Sequence, residues 1–155
     1  MNAPSLSAEQ SAQCCWALAN DYYTAAVRLL QASGRETLMP LLFLLMHALE
    51  LHLKAFLISR GMKEKQLRKI SHDLLACLRE CQEHGFFKHV HLSWREQMQI
   101  VRVNRYYKTK ELEYFVPRAK RFGSAEDLAA AVHRVSKNVF NPITEITFRS
   151  LAQET

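Results

Sequence analysis

The feature that most constrains this chain is the run from Leu38 to Leu57, which is apolar on nearly every side of a helix in its first half. It is long enough to raise the question of a membrane span, but His47, Glu50, His52 and Lys54 interrupt it, and charge inside a bilayer is expensive. The run therefore reads as a buried helix at the centre of a bundle. Pro40 suits its first turn, where a missing amide hydrogen costs nothing, and Gly61 closes it.

The helices around it are marked by caps and by apolar spacing. Ser7-Ala8-Glu9-Gln10 is a capping box, and Trp16, Ala19, Tyr23, Ala26 and Leu30 recur three and four apart, which predicts a first helix from about Ser7 to Ser33 with Gly34 as its cap. After a polar connection, Met62 to Ile70, Ser71 is expected to cap a third helix running through Leu74, Leu75, Leu78 and Cys81 to His84, with Gly85 closing it. Ser93-Trp94-Arg95-Glu96 is another capping box, followed by Trp94, Met98 and Val101 on one face. From Val103 to Arg121 the period is lost, and an irregular excursion is expected. Ser124 then opens a helix with Leu128, Val132, Val135 and Val139 on one face, and Asn141-Pro142 reads as a stop, with room for a last short helix.

No segment reads as a sheet, and no repeat, low-complexity tract or Rossmann-type glycine pattern is present. The fold class is all-α, an antiparallel bundle. A chain of 155 residues has room for one such domain, 1–155, and for no second full core. Its 48% hydrophobic and 23% charged content is that of a folded chain.

Charge is distributed unevenly. Between Lys88 and Arg121 there are nine Lys or Arg against three acids, while the flanks nearly balance, so the net charge of +6 resides in one segment. Trp94, Tyr106, Tyr107, Tyr114, Phe115 and Phe122 are interleaved with it, a pattern suited to phosphates and bases as well as to a solvated basic loop with inward-packed rings. In the binding version Arg102, Arg105, Lys108 and Lys110 contact phosphates and Tyr106 or Tyr107 stacks on a base.

The N-terminus, Met1 to Gln13, has neither a basic n-region nor an apolar h-region, so a cytoplasmic protein with no membrane association is expected. In that compartment Cys14, Cys15, Cys77 and Cys81 are most simply reduced thiols. Cys77, Cys81, His84, His89 and His91 are close in sequence but lack zinc-site spacing, and neither a metal nor another cofactor is expected.

His47, Glu50 and Lys54 lie at i, i+3 and i+7 on one face of the central helix. Two readings apply. Glu50 and Lys54 form an ion pair one turn apart beside a satisfied core histidine, or a polar site opens between the second and third helices with His72 and Asp73 contributing to it. Asp73 is equally well explained by the dipole at a helix N-terminus.

The run His47-Ala48-Leu49-Glu50-Leu51-His52-Leu53-Lys54-Ala55-Phe56-Leu57, followed by His72-Asp73-Leu74, resembles the core of the HEPN superfamily (higher eukaryotes and prokaryotes nucleotide-binding). Tyr22-Tyr23-Thr24-Ala25-Ala26 and Lys110-Glu111-Leu112-Glu113-Tyr114-Phe115 extend the likeness over roughly Ala17 to Phe115. The resemblance implies an up-and-down bundle of four to five core helices, a homodimer, and an association with RNA metabolism, toxin-antitoxin systems or defence. Catalytic members are metal-independent endoribonucleases with an Arg and, a few residues on, a His near the start of the last core helix. There the imidazole serves acid-base chemistry and the guanidinium stabilises phosphorane charge. The formal match here is Arg79-Glu80-Cys81-Gln82-Glu83-His84, which falls at the end of the third helix instead, and His133 has no upstream Arg at the right spacing.

The expectation is thus a HEPN-like homodimer that binds RNA, a nucleotide or a protein partner without catalysis. The alternative is a toxin-like endoribonuclease using Arg79 with His84, or the group His47, Glu50, Lys54 and His72.

Overall fold

A computed structural model describes residues 6–32 and 38–153 of the chain, with side chains through residue 144. Six α-helices and one 3-10 turn account for about three quarters of it, and no strand occurs among the described residues. They are α1 (Ala8–Ala32), α2 (Leu38–Ser59), α3 (Glu64–Ile70), α4 (Leu74–Glu83), α5 (Trp94–Tyr107) and α6 (Ala125–Gln153). The all-α class expected from the apolar spacing is the observed one.

Helix α2 is the spine. Twelve of its residues are buried, Leu42, Leu45, Met46, Leu49, Leu53, Phe56 and Leu57 among them, because α1, α4, α5 and α6 all pack on it. It is long and apolar enough to cross a membrane by length and composition, but 67% of its most apolar window is covered by the rest of the chain, as in a core helix. It begins at Leu38, so Pro40 sits in its first turn as expected, where no intrahelical bond is lost.

Contacts fix the directions of packing. Cys15 meets Leu51 and Tyr22 meets His47, so α1 and α2 are antiparallel. Trp16 packs on Phe140 and Tyr23 on His133, which makes α6 antiparallel to α1. Small residues allow the close approach: Ala12, Ala19 and Ala26 form the buried stripe of α1. On α6 the buried face carries Leu128, Val132, Val135 and Val139, as the spacing predicts.

Several local expectations are corrected. The connection Met62 to Ile70 contains α3, which buries only Leu67. Ser71 does not cap the next helix, because its φ of 54° is outside the extended region an N-cap needs; Asp73 does, accepting from the Leu75 and Ala76 amides at 3.1 and 3.3 Å. The Ser93 box at α5 forms as read, with Ser93 N donating to Glu96 at 2.6 Å. Its helix, however, runs on to Tyr107, so the irregular segment is only the turns from Lys108 to Ser124.

The face predicted for α5 was also the wrong one. Trp94 is 74% exposed and Val101 41%, while Glu96, Gln99, Ile100, Val103, Asn104, Tyr106 and Tyr107 are buried. A buried face that includes Glu, Gln and Asn defeats an apolar-spacing rule. Pro142 does not stop α6, which passes through it to Gln153. Proline removes one amide donor and the helix continues on its other bonds. The expected end of α1 at Ser33 and the cap at Gly34 lie outside the described residues.

Candidate functional site

Two places in the fold concentrate polar chemistry. The first surrounds Glu50, whose side chain is 3% exposed in the middle of α2. One oxygen takes the Lys54 ammonium from the next turn of the same helix. The other accepts the Tyr107 hydroxyl at 2.5 Å and His72 Nδ1 at 3.0 Å. Because the phenol hydrogen goes to Glu50, His47 Nδ1 must donate to the phenol oxygen, 3.0 Å away. Glu50 therefore joins α2 to α5 and to the turn before α4.

Burial alone would push the Glu50 carboxyl up, but the donors Lys54, Tyr107 and His72 outweigh it and hold the group below the usual range. The Tyr107 phenol is pushed far up, by burial and then by the Glu50 charge. His47 is lowered by burial, against the pull of Glu50. A phenol that keeps its proton and a carboxylate occupied by three donors form a tie between helices, with little left to offer a substrate.

Asp73, expected beside this group, belongs to a neighbouring knot. It caps α4, accepts from Asn104 Nδ2 at 3.0 Å and lies 3.5 Å from Lys108 Nζ, while Asn104 Oδ1 takes the Leu74 amide at 2.9 Å. Those donors outweigh burial and hold its carboxyl low. Asn104 and Tyr107 are the members of this polar core that sequence reasoning missed. The signal lay in a helix period through α5 carried by polar residues.

Arg79 and His84 are not brought together. Five residues apart on a helix of 3.6 residues per turn, they project to different sides. Arg79 is exposed on a shallow groove with Leu75, Leu78, Phe87 and Val101, and His84 is the exposed C-cap of α4, its Nδ1 on the Glu80 carbonyl at 2.9 Å. The loose Cys and His set does not converge either. Among the described residues no group of three or more His, Cys, Asp or Glu is arranged to hold a metal.

The second place is the outer face of α5 and the turns after it. Arg102, Arg105, Lys108 and Lys110 are exposed, as a phosphate-contacting role requires. Tyr106 and Tyr107 are not available as stacking faces, being 3% and 2% exposed. Tyr106 accepts the Arg121 amide at 3.2 Å and packs on Phe122, and Tyr107 is held by Glu50, since helical spacing turns both rings toward the core. The exposed rings in the segment are Trp94 at 74%, Tyr114 at 64% and Phe115 at 92%.

Two of the three acids in this stretch are spent internally. Glu96 pairs with Arg134 at 3.1 Å and Glu111 with Arg118. Lys108 faces Asp73, and Lys120 donates to the Val116 carbonyl at 2.8 Å. Lys88, Arg95, Arg102, Arg105, Lys110 and Arg121 have no anionic partner among the described residues. The positive potential of the segment is thus presented to solvent.

Comparison of the chain with family profiles, with curated proteins and with solved structures gives no match in any of the three.

Proposed function

We propose that this is a HEPN-like helical protein that acts as a homodimer and binds single-stranded RNA along the outer face of α5, without cleaving it. The observation that carries the reading is the set of exposed cations without an anionic partner on and after α5, with Trp94, Tyr114 and Phe115 standing open among them. Phosphates would be held by Arg95, Arg102, Arg105 and Lys110, and bases by the open rings. The HEPN-like bundle, and with it the homodimer, is supported by the order of the motifs along the chain. It is supported further by the way Glu50, Lys54 and His72, which carry that resemblance, meet at one point.

The internal use of Glu50 and the separation of Arg79 from His84 favour binding over catalysis. The test is incubation of the purified protein with mixed cellular RNA in EDTA, at low and moderate salt, with cleavage and gel shift read together. A salt-sensitive shift without cleavage is expected. Absence of any shift would remove the RNA reading, and cleavage lost on His72→Ala or His84→Ala would replace it with a ribonuclease. Light scattering is expected to give twice the 18.0 kDa chain mass, and a monomer would contradict the homodimer.

A further inference from the structure

Where the start of α5 meets the start of α6, a cleft of about 240 Å3 is lined by Trp94, Arg95, Met98, Arg102 and Asp127. Three of these stand without an ionic or ring partner. Trp94 is 74% exposed, although a large aromatic ring usually finds cover. Arg102 has no carboxylate within ion-pair distance, and the Asp127 carboxylate has no cation or donor, although both line the same cleft. Gly123, whose φ is +77°, precedes Ser124 of the cleft lining and lies against Gln99 and Arg102. A Cβ there would fall 2.3 Å from Gln99 Oε1 and 3.1 Å from Arg102 Nη1, so the chain passes closer to α5 than any other residue permits.

We infer that this cleft is a subsite for one unpaired nucleobase bearing an exocyclic amine, with the indole of Trp94 as its stacking platform and Arg95 and Arg102 on the adjoining phosphates. The volume is below the ~300 Å3 of pockets for drug-sized ligands and suits a single ring system at a surface. An indole offers its face to any base, whereas a carboxylate discriminates: cytosine offers an exocyclic amine that projects clear of the ring, while uracil offers only its N3–H, flanked by two carbonyl oxygens that a carboxylate repels. Asp127 would also repel a phosphate, which places the base on the α6 side of the cleft and the backbone on the α5 side.

This inference rests on the RNA reading above and adds to it a position and a preference. Its test uses the full chain with oligocytidylate and oligouridylate of equal length, which differ at each base in the group at ring position four and in the hydrogen on N3. Binding is followed by gel shift and by tryptophan emission. Expected are quenching on binding, cytidylate favoured by about fivefold, and a loss of about tenfold or more with Trp94→Ala. Trp94→Phe should restore most of that loss, and Asp127→Asn should erase the preference without weakening uridylate binding, since the charge removed repels phosphate. If both oligomers bind with salt-sensitive affinity but neither Trp94→Ala nor Asp127→Asn alters it, the subsite is wrong and the RNA reading stands. If neither oligomer binds at low salt, both are wrong.

Discussion

Tyr107 donates its phenol hydrogen to Glu50 across 2.5 Å, tying the last turn of α5 to the middle of α2. A hydrogen bond to a buried charge contributes more than a neutral one, and the acceptor it would leave behind is out of reach of water. Tyr107→Phe is therefore expected to lower stability by about 1.5–3 kcal/mol in urea unfolding. RNA affinity should not change, because the ring is inside. An equal loss of RNA affinity in the folded variant would return Tyr107 to the binding surface.

Acid should weaken the fold in two windows. His52 is fully buried on α2, with Nδ1 donating to the Ala48 carbonyl at 2.8 Å, and burial lowers its pKa from 6.5 to about 4. The unfolded chain takes up that proton near pH 6.5 and the native chain only near 4, so stability falls between those values and levels off below. The difference is about 3 kcal/mol. Burial of His47 adds to the loss in the same direction. Glu50 acts lower: its depressed carboxyl contributes stability above about pH 4.5 that disappears as pH falls through the folded value. Urea midpoints from pH 7.5 to 4.5 should show the first window, and His52→Gln should flatten it.

The four cysteines should separate by reactivity. Cys14 is exposed, whereas burial pushes the Cys15 thiol up to about 11 and pushes the Cys81 thiol up with help from Cys77. At pH 8 only roughly one Cys15 in a thousand is thiolate. Brief iodoacetamide treatment of the native protein, read by mass spectrometry, should label Cys14, with Cys15, Cys77 and Cys81 following only in urea. Rapid native labelling of Cys81 would contradict the packing of α4 on α2.

What could be read from the residues divides along a physical line. Caps and apolar spacing are local, so the Ser7 and Ser93 boxes, the buried stripe of α6 and the burial of α2 were all legible. The Glu50 to Lys54 pair was legible for the same reason, one turn of helix apart. Partnerships formed across the chain were not. Asn104 and Tyr107 are polar residues on a buried face because Asp73 and Glu50, more than thirty residues away, receive them. That is why α5 reads as irregular past Val103, and why the burial of Tyr107 is not legible in its local sequence. Pro142 misled in the opposite sense: a local stop signal was overridden by a helix whose apolar face is held on both sides of it, at Val139 and Ile143.

The central claim is that free cations on α5 hold phosphates, and the salt dependence of RNA affinity measures this most directly. For the native protein, log Kd against log salt should be linear, with a slope of about 0.7 per phosphate neutralised on a single strand. Arg102→Ala combined with Arg105→Ala should reduce that slope by about 1.4 while the fold is unchanged. A slope near zero, or the same slope in the native protein and the double variant, would contradict the account.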